Sequence, residues 1–183
     1  MTCSDAVHTS DSGRLFFALW PPDEVRSALA SAADGIAAFG AGRRVAQAKL
    51  HLTLHFLGGW TSGVEHRIER ACAAASNVRG RAFELRVDHA GAFPGARVGW
   101  LAPAGSVGLD ALWLDIRVAL DQGAVPYRPQ PHFAPHITVR RGVRARVPDA
   151  PIEAITWPVD AFVLVHSHDG RYDVLARWPL DRA

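Results

Sequence analysis

Two short stretches, "HLTLHFLG" (51–58) and "PHFAPHITVRR" (131–141), constrain most strongly what this chain can fold into. Each holds a His-x-Thr triplet inside an apolar run of strand character. In a strand, side chains i and i+2 share a face, so His51 and Thr53 project together, as do His136 and Thr138. Leu52 and Leu54 in one strand, and Ile137 and Val139 in the other, are then expected to pack behind. The triplets begin 85 residues apart, at 51 and 136 of 183, and a helical segment precedes each. The spacing predicts two related lobes facing each other across a cleft.

The remaining elements follow from periodicity and punctuation. "RLFFALW" (14–20) has strand length and stops at Pro21 and Pro22. Asp23 opens a helix marked by Val25, Leu29, Ala33 and Ile36. After a turn at 40–44 comes the first His-x-Thr strand. Thr61 and Ser62 begin the next helix, where Ser62 and Glu65 fit an S-x-x-E capping box, and this helix runs to about Asn77. "FELRV" and "ARVGWLA" read as strands joined around "GAFPG", and Leu109, Leu112, Ile116 and Leu120 mark a third helix ending near Gly123. After the second His-x-Thr strand come Arg140, Arg141, Arg144 and Arg146. "AFVLVHS" and "YDVLARW" flank Asp169-Gly170, a pair suited to a type I′ hairpin turn. The order β α β α β β α β β β predicts an α+β protein with no low-complexity linker.

A chain of 183 residues suits one domain and buries most of its apolar surface on folding. Its formal charge of +2 is too small for wrapping nucleic acid by charge alone, and Lys49 is its only lysine. Cys3 and Cys72 are far apart and Cys3 lies in a polar tail, so no bridge is expected and the reading favours a reducing compartment. Residues 1–13 lack the basic start and apolar run of a signal peptide, and no apolar stretch approaches the roughly 18 residues of a membrane span. A soluble, cytoplasmic protein with a flexible tail over residues 1–13 is expected.

Two imidazoles with two hydroxyls between them suit the opening of a cyclic phosphodiester by water. One base takes the water proton and one acid protonates the departing sugar oxygen, roles histidine fills near neutral pH. Threonine hydroxyls donate to the non-bridging oxygens. The chemistry requires no metal. A rival reading is zinc, because His51 with His55 and His132 with His136 both show the H-x-x-x-H spacing. Pro131 and Pro135 oppose the helix that such a site requires, and no acidic or cysteine ligand accompanies either pair. His166 and His168 are assigned to the surface or rim of the last hairpin, and Trp100 and Trp113 to core or cover. No G-x-x-x-x-G-K-[ST] phosphate loop or G-x-S-x-G elbow is present.

With both motifs in view, the chain resembles the 2H phosphoesterase superfamily, and specifically the RNA 2′,3′-cyclic phosphodiesterases, historically called 2′-5′ RNA ligases. "RLFFALWPPDEV" is similar to the family's opening, "LHLTLHFLG" and "PHFAPHITVRR" to its two motifs, "GAFPGARVGWL" to its central segment and "HSHDGRYDVLARWPL" to its closing hairpin. The resemblance covers residues 14–180. It implies a two-lobed α+β fold, antiparallel sheets lining a central cleft with helices packed outside, forming a single bilobal domain over 14–183. It implies metal-independent, cofactor-free hydrolysis of a terminal 2′,3′-cyclic phosphate on RNA to a 2′-phosphate, by a chain with no obligate protein partner. His51 and His136 correspond to the catalytic pair, and Thr53 and Thr138 to the phosphate-binding hydroxyls. Phe56 and Arg141, each five residues after its histidine, fall where relatives hold the terminal base. Strict alternation places Phe56 opposite His51 and Arg141 opposite His136. A strand end or a bulge just before Gly58 would bring Phe56 round; otherwise Phe56 is core and Arg141 a solvated arginine. Two alternatives stay open beside hydrolysis: ligation of such an end to a 5′-hydroxyl, and RNA-end binding without turnover.

Overall fold

The computed structural model describes residues 13–60, 64–130 and 132–182. Strands β1 (Gly13–Leu19), β2 (Arg43–Arg44), β3 (Leu52–Trp60), β4 (Phe83–Phe93), β5 (Val98–Ala102), β6 (Ile137–Arg141), β7 (Ala150–Val159), β8 (Ala161–His168) and β9 (Arg171–Pro179) form one sheet. Its order is β7-β4-β5-β6-β3-β1-β8-β9, with the short β2 on β6, and every strand pairing is antiparallel. Helices α1 (Asp23–Gly35), α2 (Val64–Ala75) and α3 (Val107–Gln122) complete the regular elements, apart from two short 3₁₀ turns.

β3 and β6 meet at one rung only, Leu52 with Ile137. β1, by contrast, pairs with β3 along its whole length. The expected lobes are therefore two halves of one sheet, β7-β4-β5-β6 and β3-β1-β8-β9, joined between the two His-x-Thr triplets.

The apolar faces of the helices decide the layering. Val25 and Leu29 of α1, Ile68 and Ala71 of α2, and Leu109, Leu112 and Ile116 of α3 bury against Leu15, Phe17, Leu52, Leu54, Ile137 and Leu164. Ser106 caps α3 by accepting from the Leu109 N–H at 3.2 Å, meeting one of the donors a helix start leaves unpaired. The opposite face of the sheet carries a smaller cluster, Phe16, Ala18, Val163 and Val165, against which Trp20, Phe56 and Tyr172 pack. Because both faces of β1 are covered, its sequence is a continuous apolar run rather than an alternation.

Several expectations are corrected. β7 is absent from the sequence reading; its Pro151 and Pro158 are tolerated because it lies at the edge of the sheet. β4 continues through "GAF" to Phe93, so the connection to β5 is only 94–97, with Arg97 at φ +52°. Gly91 is required there: a Cβ on it would stand 2.4 Å from the Trp100 ring, which lies across it. Asp169 and Gly170 both take positive φ, as the type I′ turn demands. Gly13, assigned to the tail, begins β1, and residues 1–12 lie outside the described residues, as does the Ser62 capping box. Cys72 is disulfide-bonded, against the expectation of no bridge, and Cys3 is not among the described residues. Among the described residues no helix is long and apolar enough to cross a membrane.

Candidate active site

The rung joining the half-sheets sets the geometry of the site. With Leu52 opposite Ile137 in an antiparallel pair, His51 falls opposite Thr138, and Thr53 opposite His136. Leu52 and Ile137 are both fully buried on the helix face, so the four polar side chains stand on the other one.

Each strand then carries a bulge at the residue after its threonine. On β3, Ala18 pairs with Thr53 but Phe17 with His55, leaving Leu54 as the extra residue. On β6, Trp100 pairs with Thr138 but Gly99 with Arg140, leaving Val139 extra. A bulge sets two residues against one and shifts the alternation by one. His55 and Arg140 consequently turn to the helix face, and Phe56 and Arg141 return to the face of the histidines. β3 also has a bulge just before Gly58, where the sequence placed one, with Leu57 extra between the pairs Leu15–Gly58 and Phe16–Phe56; it lies beyond Phe56, so the bulge at Leu54 is the one that turns that ring. Both freed carbonyls are satisfied from outside the ladder: Trp113 Nε1–H donates to Leu54 O at 3.1 Å, and Val45 N–H to Val139 O at 3.0 Å. On the helix face, His55 Nε2–H donates to Trp113 O at 2.8 Å, while Arg140 binds Asp34 of α1.

The two candidate catalytic rings are held alike. His51 Nδ1–H donates to Lys49 O at 2.7 Å, and His136 Nδ1–H to Ala134 O at 2.9 Å, each two residues back. A carbonyl only accepts, so both rings carry the proton on Nδ1 and leave Nε2 as the basic atom. Phe16 and Trp20 stack on His51 at 5.0 and 5.6 Å, with the Tyr172 ring edge-on at 5.4 Å. Burial among these rings lowers the His51 pKa to about 4, with smaller pushes from His136 and Arg141, against an upward pull from the Lys49 carbonyl. Phe93 meets the His136 ring edge-on at 4.9 Å.

His51, Thr138 and Arg141 line a cleft of about 940 Å³ together with Arg14, Arg43, Arg44, Lys49, Tyr172 and the tip of the β8–β9 hairpin. Lys49 Nζ donates to the Gly170 carbonyl, tying that tip to the segment before His51. Thr53, Phe56 and His136 are half-buried beside this lining rather than in it, and Phe56 packs with the Phe16 cluster beneath His51. Of the six expected residues, His51, Thr138 and Arg141 share the cleft, Thr53 and His136 flank the rung beside it, and Phe56 lies farther along β3 in the Phe16 cluster. The zinc pairing of His51 with His55 is not formed, since His55 is 1% exposed on the far face with its Nε2–H on Trp113. His132 is exposed and His136 is bonded to Ala134. His166, expected at the surface or rim, is buried, whereas His168 does line the cleft. Sequence reasoning missed Phe16, Trp20, Tyr172 and Phe93 as ring supports, and Arg14, Arg43 and Arg44 as lining. The alternation of "YDVLARW" about the Asp169-Gly170 turn was the one usable signal, because it sets Tyr172 beside Ser167.

An antiparallel α+β sheet that presents two matched His-x-Thr strands defines a phosphoesterase-like class of protein. The chain belongs to the 2′-5′ RNA ligase superfamily, whose family model matches residues 21–171. It is 34% identical over 181 residues to the RNA 2′,3′-cyclic phosphodiesterase of Escherichia coli K12, covering 93% of this chain and 98% of that one. It is 32% identical over 171 residues to the protein of the same name from Thermus thermophilus, covering 84% and 81%. Among solved structures, a phosphoesterase crystal structure superposes with a TM-score of 0.79 at 32% identity, covering 92% of this chain and 99% of that one. E. coli LigT complexed with 3′-AMP superposes with a TM-score of 0.78 at 32% identity, covering 92% and 98%.

Proposed function

We propose that this chain is a hydrolase that opens terminal 2′,3′-cyclic phosphates on RNA to 2′-phosphates, using His51 and His136 as a base and acid pair. The observation that carries the reading is the matched hold on the two imidazoles, each tethered through Nδ1 to the carbonyl two residues back and flanking the Leu52–Ile137 rung. The names of the curated relatives support the same reaction.

His51, neutral because of its burial, is the base, and its Nε2 takes a proton from water. The water oxygen bonds to phosphorus and the P–O3′ bond breaks, while His136, entering the step as the imidazolium with Nδ1–H still on the Ala134 carbonyl, gives its Nε2 proton to O3′ and is left neutral. The phosphate stays on O2′. Thr53 and Thr138 donate to the non-bridging oxygens as their charge grows. Phe56 and Arg141 hold the terminal base by stacking, which tolerates any base. The enzyme acts on its RNA substrate as a single chain, since every group it uses lies in that chain.

The test is an oligoribonucleotide ending in a 2′,3′-cyclic phosphate, incubated in EDTA and read by mass and phosphorus NMR. A 2′-phosphate is expected. His51→Ala and His136→Ala should each lose about 10²- to 10⁴-fold in rate while keeping the folded circular-dichroism spectrum. An unchanged substrate, or near-normal turnover in both variants, would overturn the reading. A 2′-5′ junction formed when a 5′-hydroxyl RNA is added would replace hydrolysis by ligation.

A further inference from the structure

Near the tip of the β8–β9 hairpin, His166, His168 and Asp173 converge on one side of the ribbon. His166 and His168 are i and i+2 of β8, and Asp173 is the cross-strand partner of His166, so all three project to the same face. One ligand atom from each lies within 4.8 Å of the other two, and no other group of three His, Cys, Asp or Glu residues among those described is so placed. His168 Nε2 is 2.5 Å from Asp173 Oδ2, and the two imidazole centroids are 4.3 Å apart. His166 is 1% exposed while the Asp173 side chain is open to solvent, which gives a buried ligand with an entry path.

We propose that His166, His168 and Asp173 form a binding site for a borderline divalent transition ion of the Zn²⁺ type. Two imidazole nitrogens and one carboxylate oxygen match the donors such ions take, whereas Mg²⁺ and Ca²⁺ prefer all-oxygen sets. Bonds of 2.0–2.2 Å to a tetrahedral ion place ligand atoms roughly 3.3 Å apart. The His168–Asp173 pair is already inside that spacing, and small side-chain rotations would bring His166 in. Asp169 lies with its carboxylate 3.4 Å from His168 Nδ1. That is the outer carboxylate which, at known sites, fixes the tautomer so that Nε2 faces the metal. Water fills the fourth position.

The site borders the cleft, which His168 also lines, but it shares no residue with the proposed chemistry of His51 and His136. Its consequence for His51 is indirect, because an ion tying β8 to β9 stiffens the tip whose Gly170 carbonyl binds Lys49 and whose Tyr172 backs His51.

Titration of the untagged, metal-free protein with Zn²⁺ by calorimetry, and with Co²⁺ by visible absorption, tests the proposal without reference to activity. One ion per chain is expected, with the imidazole NMR signals of His166 and His168 moving and those of His51 and His136 unmoved. Asp173→Asn should weaken binding at least about tenfold, the lower bound seen for loss of an outer partner. It should leave turnover in EDTA unchanged. His51→Ala should bind the ion as the parent does. Absence of binding at millimolar Zn²⁺, equal affinity in Asp173→Asn, or loss of binding in His51→Ala would each overturn the site.

Discussion

Three rings surround His51, and the desolvation they impose outweighs the Lys49 carbonyl that favours its cation. With a folded pKa of about 4 against 6.5 in the unfolded chain, the unfolded state binds more protons between those values. The stability contributed by neutral His51 is therefore complete above about pH 6.5 and is lost as pH falls towards 4. His51→Gln should flatten the fall in melting temperature over that window. If His51 is the base, kcat/KM should hold down to about pH 4 on its acid side, since that profile reports the free enzyme. An acid limb near 6.5 would remove His51 from the role. The His-x-Thr spacing made all four polar residues legible, because side-chain period 2 is a local property of a strand. The ring supports come from β1, β4, β9 and Trp20 just after β1, and nothing local joins them. Phe56→Ala and Arg141→Ala should each raise KM for a cyclic-ended RNA about 5- to 150-fold, the equivalent of about 1–3 kcal/mol per stacked base, with a smaller change in kcat. Unchanged KM in both would return them to core and surface.

At the scale of elements, the two bulges decide which residues reach the site. Period-2 alternation read without a bulge sends Phe56 and Arg141 to the helix face, and the extra residues Leu54 and Val139 reverse this. Sequence raised a bulge on β3 but did not locate those at Leu54 and Val139, because their carbonyls are satisfied by distant donors, Trp113 of α3 and the Val45 amide. Trp113→Phe keeps a ring against His55 and Phe133 but removes the donor to Leu54. Leaving a buried carbonyl unsatisfied costs about 1–3 kcal/mol, so urea denaturation should show a loss of that size. Turnover should fall further than in Val159→Ala, a core truncation on the edge strand β7, if the bulge positions the site. Equal turnover in the two variants would make Trp113 a packing residue only. β7 carries two prolines that contradict a central strand, and only the sheet order reveals that it is an edge.

At the scale of the molecule, a net charge of +2 conceals a local concentration. Arg14, Arg43, Arg44, Lys49 and Arg141 line the cleft, against one carboxylate, Asp169. These cations come from β1, β2, β6 and the segment before His51, gathered where β3 and β6 part beyond their single rung. A polymer with a phosphate at each residue matches that lining better than a single cyclic nucleotide does. Log KM for a cyclic-ended oligoribonucleotide should rise with log salt by about 0.7 for each phosphate held, and so by more than 1 if two are engaged. A cyclic mononucleotide measured beside it should show the shallower dependence, and equal slopes would confine recognition to the terminal nucleotide.

Local regularities were open to the sequence alone: the helix stripes, the Asp169-Gly170 turn, the facing of His51 with Thr53 and of His136 with Thr138, and the α+β class that these elements compose. Each depends on backbone geometry within a few residues. Tertiary structure decided that the two lobes are halves of one sheet meeting at Leu52 and Ile137, that bulges turn Phe56 and Arg141 to the face of the histidines, and that His51 is half-buried among rings. Those outcomes depend on which distant groups supply hydrogen bonds and exclude water at a given residue, and that partnership exists only once the strands have paired.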